Sequence, residues 1–320
     1  MDSHQIAAHN ILSDRRGRSE LARDARVMHF HRLYPELQKL DRQIGICKAD
    51  ILVRLADERG QTVDRAALYE LERNRKQYLA SQEIPLDYDK LIPFCPECKD
   101  TGSVDGGICN CYKELLIPDI SEASGLELYS GISFSNFTEK YFSRPDKIRA
   151  IRAVGEAYAE GFPGQTRNLL FWGSPGTGKT FMAVCIAREV VLRAVPVLFI
   201  RISDLLEEMN AFRTQMLSFS PDEERLTSLK ARRELILSGG LLVIDELGIE
   251  ARSPNTVADL LQILGTRQQK GLATLITTNL SLTDLQKTYD NRLSSRLLGD
   301  FVPFHFEGDD IRTSAAYRSR

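Results

Sequence analysis

The sequence predicts an α/β fold, a three-layer domain with a parallel five-stranded sheet, preceded by a helical N-terminal region. Three observations predict it. From Thr166 onward, apolar runs typical of strands alternate with segments typical of helices, which indicates a mostly parallel sheet. A glycine-rich loop at residues 173–180 follows the first of these runs and precedes a helical segment. Between residues 30 and 82, apolar positions recur at helical spacing instead.

The helical pattern before residue 82 predicts a hairpin of two helices. The apolar stripe of the first helix is formed by Leu37, Leu40, Ile44, Cys47 and Ile51. After the turn-like "DERGQTVD", a second helix begins at Asp64, and its apolar residues are Leu68, Leu71, Tyr78 and Leu79. Such a hairpin is either an appendage of the main body or a protein-docking module. Its length favours docking, because a narrow stripe buries little core.

Five apolar runs predict the strands of the sheet. They read "NLLFW", "VLFIRI", "LLVID", "LATLITT" and "VPFHF". We expect four regions: a helical partner-binding region at 1–90, a cysteine module at 91–115, a linker at 116–165 and the α/β domain at 166–320.

Composition excludes several classes of protein. The 320 residues include 42% apolar residues, and Lys and Arg number 42 against 44 Asp and Glu, so bulk charge does not indicate nucleic-acid binding. No apolar stretch approaches the roughly 20 residues that span a bilayer. The start "MDSHQIAAHN" lacks the basic and apolar regions of a signal peptide. We therefore expect a cytoplasmic protein with no membrane partner.

Four of the six cysteines crowd into "CPECKDTGSVDGGICNC", which contains Cys95, Cys98, Cys109 and Cys111. The first pair has the C-x₂-C spacing common in structural zinc sites, and four thiolates can close a tetrahedral Zn²⁺ site. An Fe–S cluster and free or redox-active thiols are the alternatives. Four protein ligands leave no open position for water, so a catalytic zinc is not indicated.

The loop "GSPGTGKT" matches the phosphate-binding pattern G-x-x-x-x-G-K-[ST] at every fixed position. Its backbone N–H groups and the following helix N-terminus suit phosphates, Lys179 can reach the β- and γ-phosphates, and the Thr180 hydroxyl can ligate Mg²⁺. A glycine-rich turn that binds nothing is the alternative. The expected nucleotide-binding residues here are Gly173, Ser174, Pro175, Gly176, Thr177, Gly178, Lys179, Thr180 and Phe181.

Polar residues follow two later strands. "LLVIDELG" ends in Asp245, expected to hold Mg²⁺ through water, and Glu246, expected to orient and polarise the attacking water. "LATLITTN" ends in Asn279, whose amide can position that water. The alternatives are a solvated acidic strand end and a plain turn residue. Together these strand ends predict nucleoside triphosphate hydrolysis, with Mg²⁺ at Thr180 and Asp245.

Arginines near the end of the chain indicate the subclass. In "YDNRLSSRLLGD", Arg292 and Arg296 lie four apart and share one helical face. They form either a surface row or a group offered to the γ-phosphate of a neighbouring subunit. Arg312, in "FEGDDIR", and Arg318 follow.

Basic and aromatic residues between the second and third strands are candidates for single-stranded DNA contacts, because such binding uses cations and aromatic faces. An amphipathic helix with a solvated basic face is the alternative. The candidates are Phe212, Arg213, Phe219, Lys230, Arg232 and Arg233.

With these motifs in place, residues of about 130 to 312 resemble an AAA+ ATPase of the bacterial helicase-loader group, the DnaC/DnaI family, whose transposition helper relative is IstB. The motifs are "GSPGTGKT", "LLVIDELG", "TLITTN", "NRLSSRL" and "FEGDDIR". The resemblance implies that Lys179 and Thr180 are the Walker A pair, Asp245 and Glu246 the Walker B pair, and Asn279 sensor 1. It also implies that Arg296 is the trans-acting arginine finger, with Arg292 one turn away, and that Arg312 is sensor 2, with Arg318 as its rival.

Only about a dozen residues follow "VPFHF", whereas a typical AAA+ protein has a helical C-terminal lid; the absence of a full lid is expected for the loader group. The resemblance implies the cofactors ATP and Mg²⁺, and the cysteine segment resembles the zinc-binding region of DnaI-type loaders. It implies an ATP-dependent homo-oligomer that binds the replicative DNA helicase and single-stranded DNA and delivers the helicase. Two rivals remain: a transposition helper that works with a transposase on duplex DNA, and a small-molecule kinase, which the Asp–Glu pair and sensor Asn disfavour.

Overall fold

The N-terminal region contains three long helices and a small cysteine-rich segment. The computed structural model describes residues 3–56, 65–139, 142, 144–251 and 254–311. They form two units, which divide after Tyr112. The elements up to this division are α1 (Ser3–Leu33), α2 (Pro35–Ala56), α3 (Ala66–Ser81), β1 (Ser103–Val104) and β2 (Gly107–Ile108). The next helix, α4 (Asn110–Ala123), runs across the division.

Helices α2 and α3 are the two helices of the predicted hairpin, and the predicted turn "DERGQTVD", residues 57–64, lies outside the described residues. Leu37 of α2 and Leu79 of α3 are fully buried and pack with Ile84 and Tyr88. Helix α1, with 31 residues, was not predicted. Its apolar residues form no continuous stripe, so the helical period is hidden in the sequence.

A polar cluster ties these helices together around Asp41. Its carboxylate accepts hydrogen bonds from Arg75 Nε (2.6 Å), from His31 Nε2 (2.7 Å) and from the Tyr88 hydroxyl. Burial raises the pKa of Asp41, but the hydrogen bonds from Tyr88, His31 and Arg75 outweigh burial and lower it below its usual value. The charged form of Asp41 is therefore favoured in the folded unit.

The second unit is built on the predicted sheet of five parallel strands. Its order is β4-β5-β6-β3-β7, and each neighbouring pair is parallel. The strands are β3 (Asn168–Trp172), β4 (Val197–Arg201), β5 (Leu241–Leu247), β6 (Ala273–Thr278) and β7 (Phe301–His305). The side chains of β6 are all buried, and since successive side chains point to opposite faces, both faces of the sheet are covered. This confirms the predicted α/β fold class.

Helices connect the strands and pack against them. Two short 3₁₀ turns, at Glu127–Tyr129 and Phe134–Asn136, lie between α4 and the next helix. The helices are α5 (Pro145–Glu160), α6 (Lys179–Leu192), α7 (Ile202–Met216), α8 (Glu223–Ser238), α9 (Pro254–Gln269), α10 (Leu282–Thr288) and α11 (Asn291–Gly299). No helix among the described residues is long and apolar enough to cross a bilayer.

The strand order places the glycine-rich loop at a distinctive point of the sheet. After β3 the chain passes to β4 at one edge, whereas β7 lies on the other side of β3. The carboxyl end of β3 is therefore where the strand order reverses. Ligands of open α/β sheets bind at such switch points, outside the carboxyl ends of the strands.

Candidate nucleotide-binding site and metal centre

The phosphate loop joins β3 to α6. Lys179 is the first residue of α6 and Gly178 caps the helix. Gly173 has φ +142°, and a Cβ there would lie 2.3 Å from the Phe306 carbonyl oxygen, so the loop and the chain after β7 approach closely only because residue 173 is glycine. Close backbone packing thus fixes the loop at the helix N-terminus, where its N–H groups can face an anion.

Lys179 is 6% exposed, and its ammonium group lies within the loop. Its Nζ donates to the carbonyl oxygens of Gly173 (2.8 Å) and Ser174 (2.6 Å). The lysine charge is therefore already aimed at the loop. A bound phosphate would compete with these carbonyl groups for the same donors.

Two hydroxyl groups hold the Asp245 carboxylate at the end of β5. Thr180 Oγ1 donates to Asp245 Oδ1 at 3.0 Å, and Thr277 Oγ1, on β6, donates to the same oxygen at 2.6 Å. Asp245 is 3% exposed, and burial raises its pKa, although the two hydrogen bonds act in the opposite direction. A buried carboxylate next to the phosphate-loop threonine, Thr180, suits a divalent cation, because cation charge offsets the cost of burying the anion.

Glu246 follows Asp245 with a backbone in the left-handed region, at φ +62°. Its N–H donates to Thr277 Oγ1 at 3.0 Å, so one threonine holds both acidic residues. Non-glycine residues in this conformation are uncommon and cluster at functional sites. The turn directs the chain so that Glu246 lines the pocket beside the phosphate loop.

These residues line a pocket of about 430 Å³. Its polar lining includes the loop, Lys179, Thr180, Glu246, Thr277 and Asn279. Its apolar lining, called the apolar wall below, includes Ile132, Phe137, Phe142, Phe181 and Ile311. A pocket that combines phosphate-binding polar groups with aromatic side chains has the character expected for a nucleoside triphosphate.

The apolar wall is held in place from α6. Arg188 donates to the carbonyl oxygens of Leu126 (3.3 Å) and Tyr129 (2.9 Å), just before the pocket-lining Ser130. Within the wall, the rings of Phe137 and Phe142 stack at 5.5 Å. The helix that begins at the phosphate loop therefore also anchors the apolar wall.

Two of the predicted arginines, Arg292 and Arg296, lie on α11, outside the lining of this pocket. Arg292 is exposed, and Arg296 is partly exposed and donates to Gln268 Oε1 at 2.9 Å. Arg312 and Arg318 lie outside the described residues. Ile311, which precedes Arg312, lines the pocket, and its N–H donates to the Gly176 carbonyl at 3.0 Å.

The candidate DNA-binding residues differ in their surroundings. Arg213 pairs with Asp259 at 2.5 Å, and Arg232 pairs with Glu208 at 3.0 Å while donating to the Ala123 carbonyl. The guanidinium of Arg233 lies over the ring of Phe212, at 4.9 Å. Lys230 is exposed, and Phe219 is fully exposed between α7 and α8.

The cysteines form the candidate metal centre. The sulfur atoms of Cys95, Cys98, Cys109 and Cys111 lie within 4.8 Å of one another, with Cys95–Cys109 at 3.8 Å and Cys98–Cys111 at 3.4 Å. Zn–S bonds of about 2.3 Å in a tetrahedron place sulfurs about 3.8 Å apart. The four residues therefore fit a structural zinc site.

Neighbouring groups prepare this centre for a cation. The pKa of Cys98 is about 7: burial raises it, and hydrogen bonds, first from the Gly102 N–H and then from the other thiols, lower it. The buried Asp100 accepts hydrogen bonds from the N–H groups of Phe94 (2.9 Å) and Cys95 (2.8 Å) and so fixes the first ligand. Ordering of ligands by outer groups is typical of metal sites.

Comparison with known proteins identifies the family. A family model described as "IstB-like ATP binding protein" matches residues 141–315, more than half of the chain. The chain belongs to this family. The match confirms the resemblance to AAA+ proteins of the DnaC/DnaI and IstB group.

Individual proteins are similar to this IstB-like chain over about half of its length or slightly more. The chain is 29% identical to the replicative helicase loader DnaC of Escherichia coli over 188 residues, 58% of this chain and 71% of that protein. It is 27% identical to the putative ATP-binding protein of insertion sequence IS5376 of Geobacillus stearothermophilus over 166 residues, 50% of this chain and 61% of that protein. A crystal structure of the DnaC helicase loader covers 57% of this chain and 99% of its own, with 21% identity and a TM-score of 0.46.

The site of this IstB-like protein includes residues that the sequence did not single out. Thr277 is one, because a threonine inside a buried strand resembles any other strand residue. The wall at residues 130–139 and 142 is another, because it has little regular structure and is separated in sequence from the motifs. "SGISFSNF" carries aromatic residues in a loop, the one signal that could have marked it.

We predict that the purified chain binds one Zn²⁺ and that its removal loosens the N-terminal half of α1. Leu12 packs against Gly102 beside the cysteines, and the Tyr112 hydroxyl donates to the Gln5 carbonyl. Chelation should therefore speed amide hydrogen exchange around Ala8 and Leu12. Cys98→Ser should lose the metal, and Cys47→Ser, which lies outside the cluster, should keep it. Metal analysis that finds no zinc, or exchange that is unchanged by chelator, would contradict the assignment.

We predict that Asp245→Asn stabilises the nucleotide-free protein by about 1 kcal/mol. The raised pKa of Asp245 means that its ionised form is disfavoured in the folded state, so at neutral pH the charge lowers stability, and a neutral amide of the same shape removes that cost. The midpoint of thermal unfolding should rise by roughly 2–4 °C, while the further rise on adding Mg²⁺ and ATP should disappear. Asp146→Asn, at a side chain that is 95% exposed, is the control and should change neither value. A large fall in the nucleotide-free midpoint would refute this account.

Proposed function

We propose that this chain is an ATP-hydrolysing helicase loader, which binds the replicative DNA helicase and single-stranded DNA and delivers the helicase during replication initiation. The observation that carries the proposal is the similarity to the helicase loader DnaC over 188 residues, 58% of this chain, together with a family match at 141–315 that includes the phosphate loop. The helical N-terminal unit with its cysteine centre lies outside the family match and supplies a separate surface for a partner.

Within the pocket, the residues divide the work of hydrolysis. The loop N–H groups and Lys179 hold the β- and γ-phosphates. Thr180 and Asp245 are the residues that would hold Mg²⁺, which when bound would neutralise charge on those phosphates. Glu246 orients the attacking water and accepts its proton as the bond to phosphorus forms, and the Asn279 amide positions the same water.

The arginines act between subunits in this proposal. Arg296, with Arg292 one turn away, enters the pocket of a neighbouring copy and stabilises the charge that develops on the γ-phosphate. Their exposure on α11, away from their own pocket, supports this role. Arg312 is proposed to contact the nucleotide of its own chain, since it follows the pocket-lining Ile311 directly. The active form is therefore a homo-oligomer.

The alternative is a transposition helper that works with a transposase on duplex DNA. The IstB-like family and the similarity to an insertion-sequence ATP-binding protein favour it. The two functions share the ATPase unit, so hydrolysis does not distinguish them. Partner choice does.

We propose that the exposed face of α2 is part of the surface that binds the helicase. Ile46 and Val53 are 61% and 69% exposed and lie seven residues apart, on one face of the helix. Apolar side chains that are not buried within the unit are suited to burial against a partner.

We predict that Ile46→Ser with Val53→Ser abolishes co-purification with the replicative helicase of the same organism, in ATP or in ADP. Both side chains are exposed, so folding should be unaffected. Leu192→Ser, which is 58% exposed on α6, is the matched control and should preserve the complex. If the unaltered protein forms no complex with either nucleotide, the loader function is wrong and the transposition helper becomes the better proposal. If the double variant still binds as the unaltered protein does, the helicase-binding surface does not include this face of α2.

For single-stranded DNA, we propose Phe219 as a stacking platform, supported by its full exposure in a loop with basic residues on the adjoining helices. Arg213 and Arg232 already pair with carboxylates, so the aromatic ring is the better candidate for a direct contact.

We predict that Phe219→Ala weakens binding of labelled oligo(dT) by about 1–3 kcal/mol, the usual worth of one stacked base. Leu217→Ala in the same loop removes an exposed aliphatic side chain and should have little effect. Fluorescence anisotropy measures both. Equal losses from the two variants, or a preference for duplex DNA, would count against the stacking role.

A further inference from the structure

A part-buried hydrogen-bond cluster around Glu250 and Tyr289 lies beyond the turn that carries Glu246. The Tyr289 hydroxyl donates to Glu250 Oε1, and the Gly248 N–H donates to Glu250 Oε2 at 2.7 Å. Tyr289 is 6% exposed. Glu250 and Tyr289 are absent from the pocket lining, so the roles assigned above leave this cluster without a purpose.

On one side, the cluster holds the turn that follows Glu246. The turn contains Glu246 at φ +62° and Gly248 at φ +108°, and such a backbone persists only where its surroundings hold it. Glu250 holds it through the Gly248 N–H. Thr278 Oγ1, next to Asn279, donates to the Leu247 carbonyl at 2.6 Å and holds its other side. The position of Glu246 thus depends on contacts made four residues later in the chain.

On the other side, the cluster fixes the start of the helix that carries the arginines. The Tyr289 N–H ends α10 by donating to the Leu285 carbonyl at 3.1 Å. The next residue, Asp290, caps α11 by accepting from the Leu293 N–H at 2.8 Å. Tyr289 is therefore the joint between the two helices, and a shift at its ring moves the first turn of α11, where Arg292 lies.

We propose that Glu250 and Tyr289 form a positioning contact, which ties the turn carrying Glu246 to α11 and so sets how Arg292 and Arg296 are presented to a neighbouring subunit. This inference rests on the proposed ATPase function with its arginines acting in trans. A change in the turn when nucleotide is bound or hydrolysed reaches the intersubunit face through the hydrogen bond between the Tyr289 hydroxyl and the Glu250 carboxylate. Glu250 and Tyr289 are positioning residues and touch no reacting atom.

The test removes the hydroxyl alone, in Tyr289→Phe. The matched control is Tyr158→Phe, which also removes a buried hydroxyl, one that donates to the Arg167 carbonyl at 2.8 Å just before β3, at the opposite end of the sheet. At protein concentrations where turnover per chain no longer rises, Tyr289→Phe should lower kcat roughly tenfold with KM for ATP unchanged. Tyr158→Phe should keep kcat. If the phenylalanine variant folds poorly, Glu250→Gln is the second variant: its single oxygen can keep the hydrogen bond from the Gly248 N–H, and its amide nitrogen cannot accept from the Tyr289 hydroxyl, so kcat should fall in the same way.

Subunit mixing distinguishes positioning from a structural defect. Glu246→Gln chains cannot hydrolyse ATP in the proposed mechanism but keep an intact α11. Mixed in excess with Tyr289→Phe chains, they should restore turnover at the Tyr289→Phe sites, as they should for Arg296→Ala chains. A collapse of the Tyr289→Phe pocket itself would not be rescued in this way.

The failures are separable. If Arg296→Ala lowers kcat and is rescued but Tyr289→Phe keeps a normal kcat or is not rescued, the positioning contact is wrong and the proposed function stands. If Arg296→Ala has no effect in the assembled protein, the trans arginine of the proposed function is wrong, and the inference falls with it.

Discussion

Burial of the Asp245 carboxylate is the interaction on which the rest of the nucleotide site depends. An anion removed from water needs donors, and the two described here come from the first turn of α6 and from β6. The start of α6 and strand β6 are thereby held to one oxygen atom of β5. Thr277 extends this arrangement to the backbone of Glu246. The site is thus arranged before nucleotide arrives, at the cost of a charge that a cation would compensate.

Polar and thiol groups also stabilise the N-terminal unit. Its described core is small, formed around Leu37, Leu79, Ile84 and Tyr88. The hydrogen bonds to Asp41 and the cysteine centre hold together parts of the chain that this small core does not. Metal ligation is an efficient way to order a loop-rich segment, since the binding free energy becomes folding free energy. An N-terminal unit built this way can fold while apolar residues such as Ile46 and Val53 stay exposed.

The sequence predicted the features that follow from short-range patterns. The five strands, the phosphate loop and the acidic strand end carry local signals, and so do the two helices of the hairpin and the cysteine spacing. Features that depend on long-range contact were missed. Thr277 acts through its position in β6, and the wall at 130–139 and 142 depends on Arg188, which anchors the chain just before it. Helix α1 was missed because its apolar residues form no continuous stripe. The ion-pair partners of Arg213 and Arg232 could not be predicted, because they lie far away in the sequence and no local pattern indicates them.

The central claim is that this pocket binds ATP and that Glu246 activates the water that cleaves it. The most direct test compares ATP hydrolysis and ATP binding in the same Glu246→Gln protein. Trp172, the one tryptophan of the chain, precedes Gly173 of the phosphate loop, so its fluorescence can report binding. The account predicts that the variant binds ATP as the unaltered protein does and that its hydrolysis falls to background. Full hydrolysis with normal binding would contradict the role of Glu246, and loss of binding would show that this side chain holds the nucleotide rather than the water.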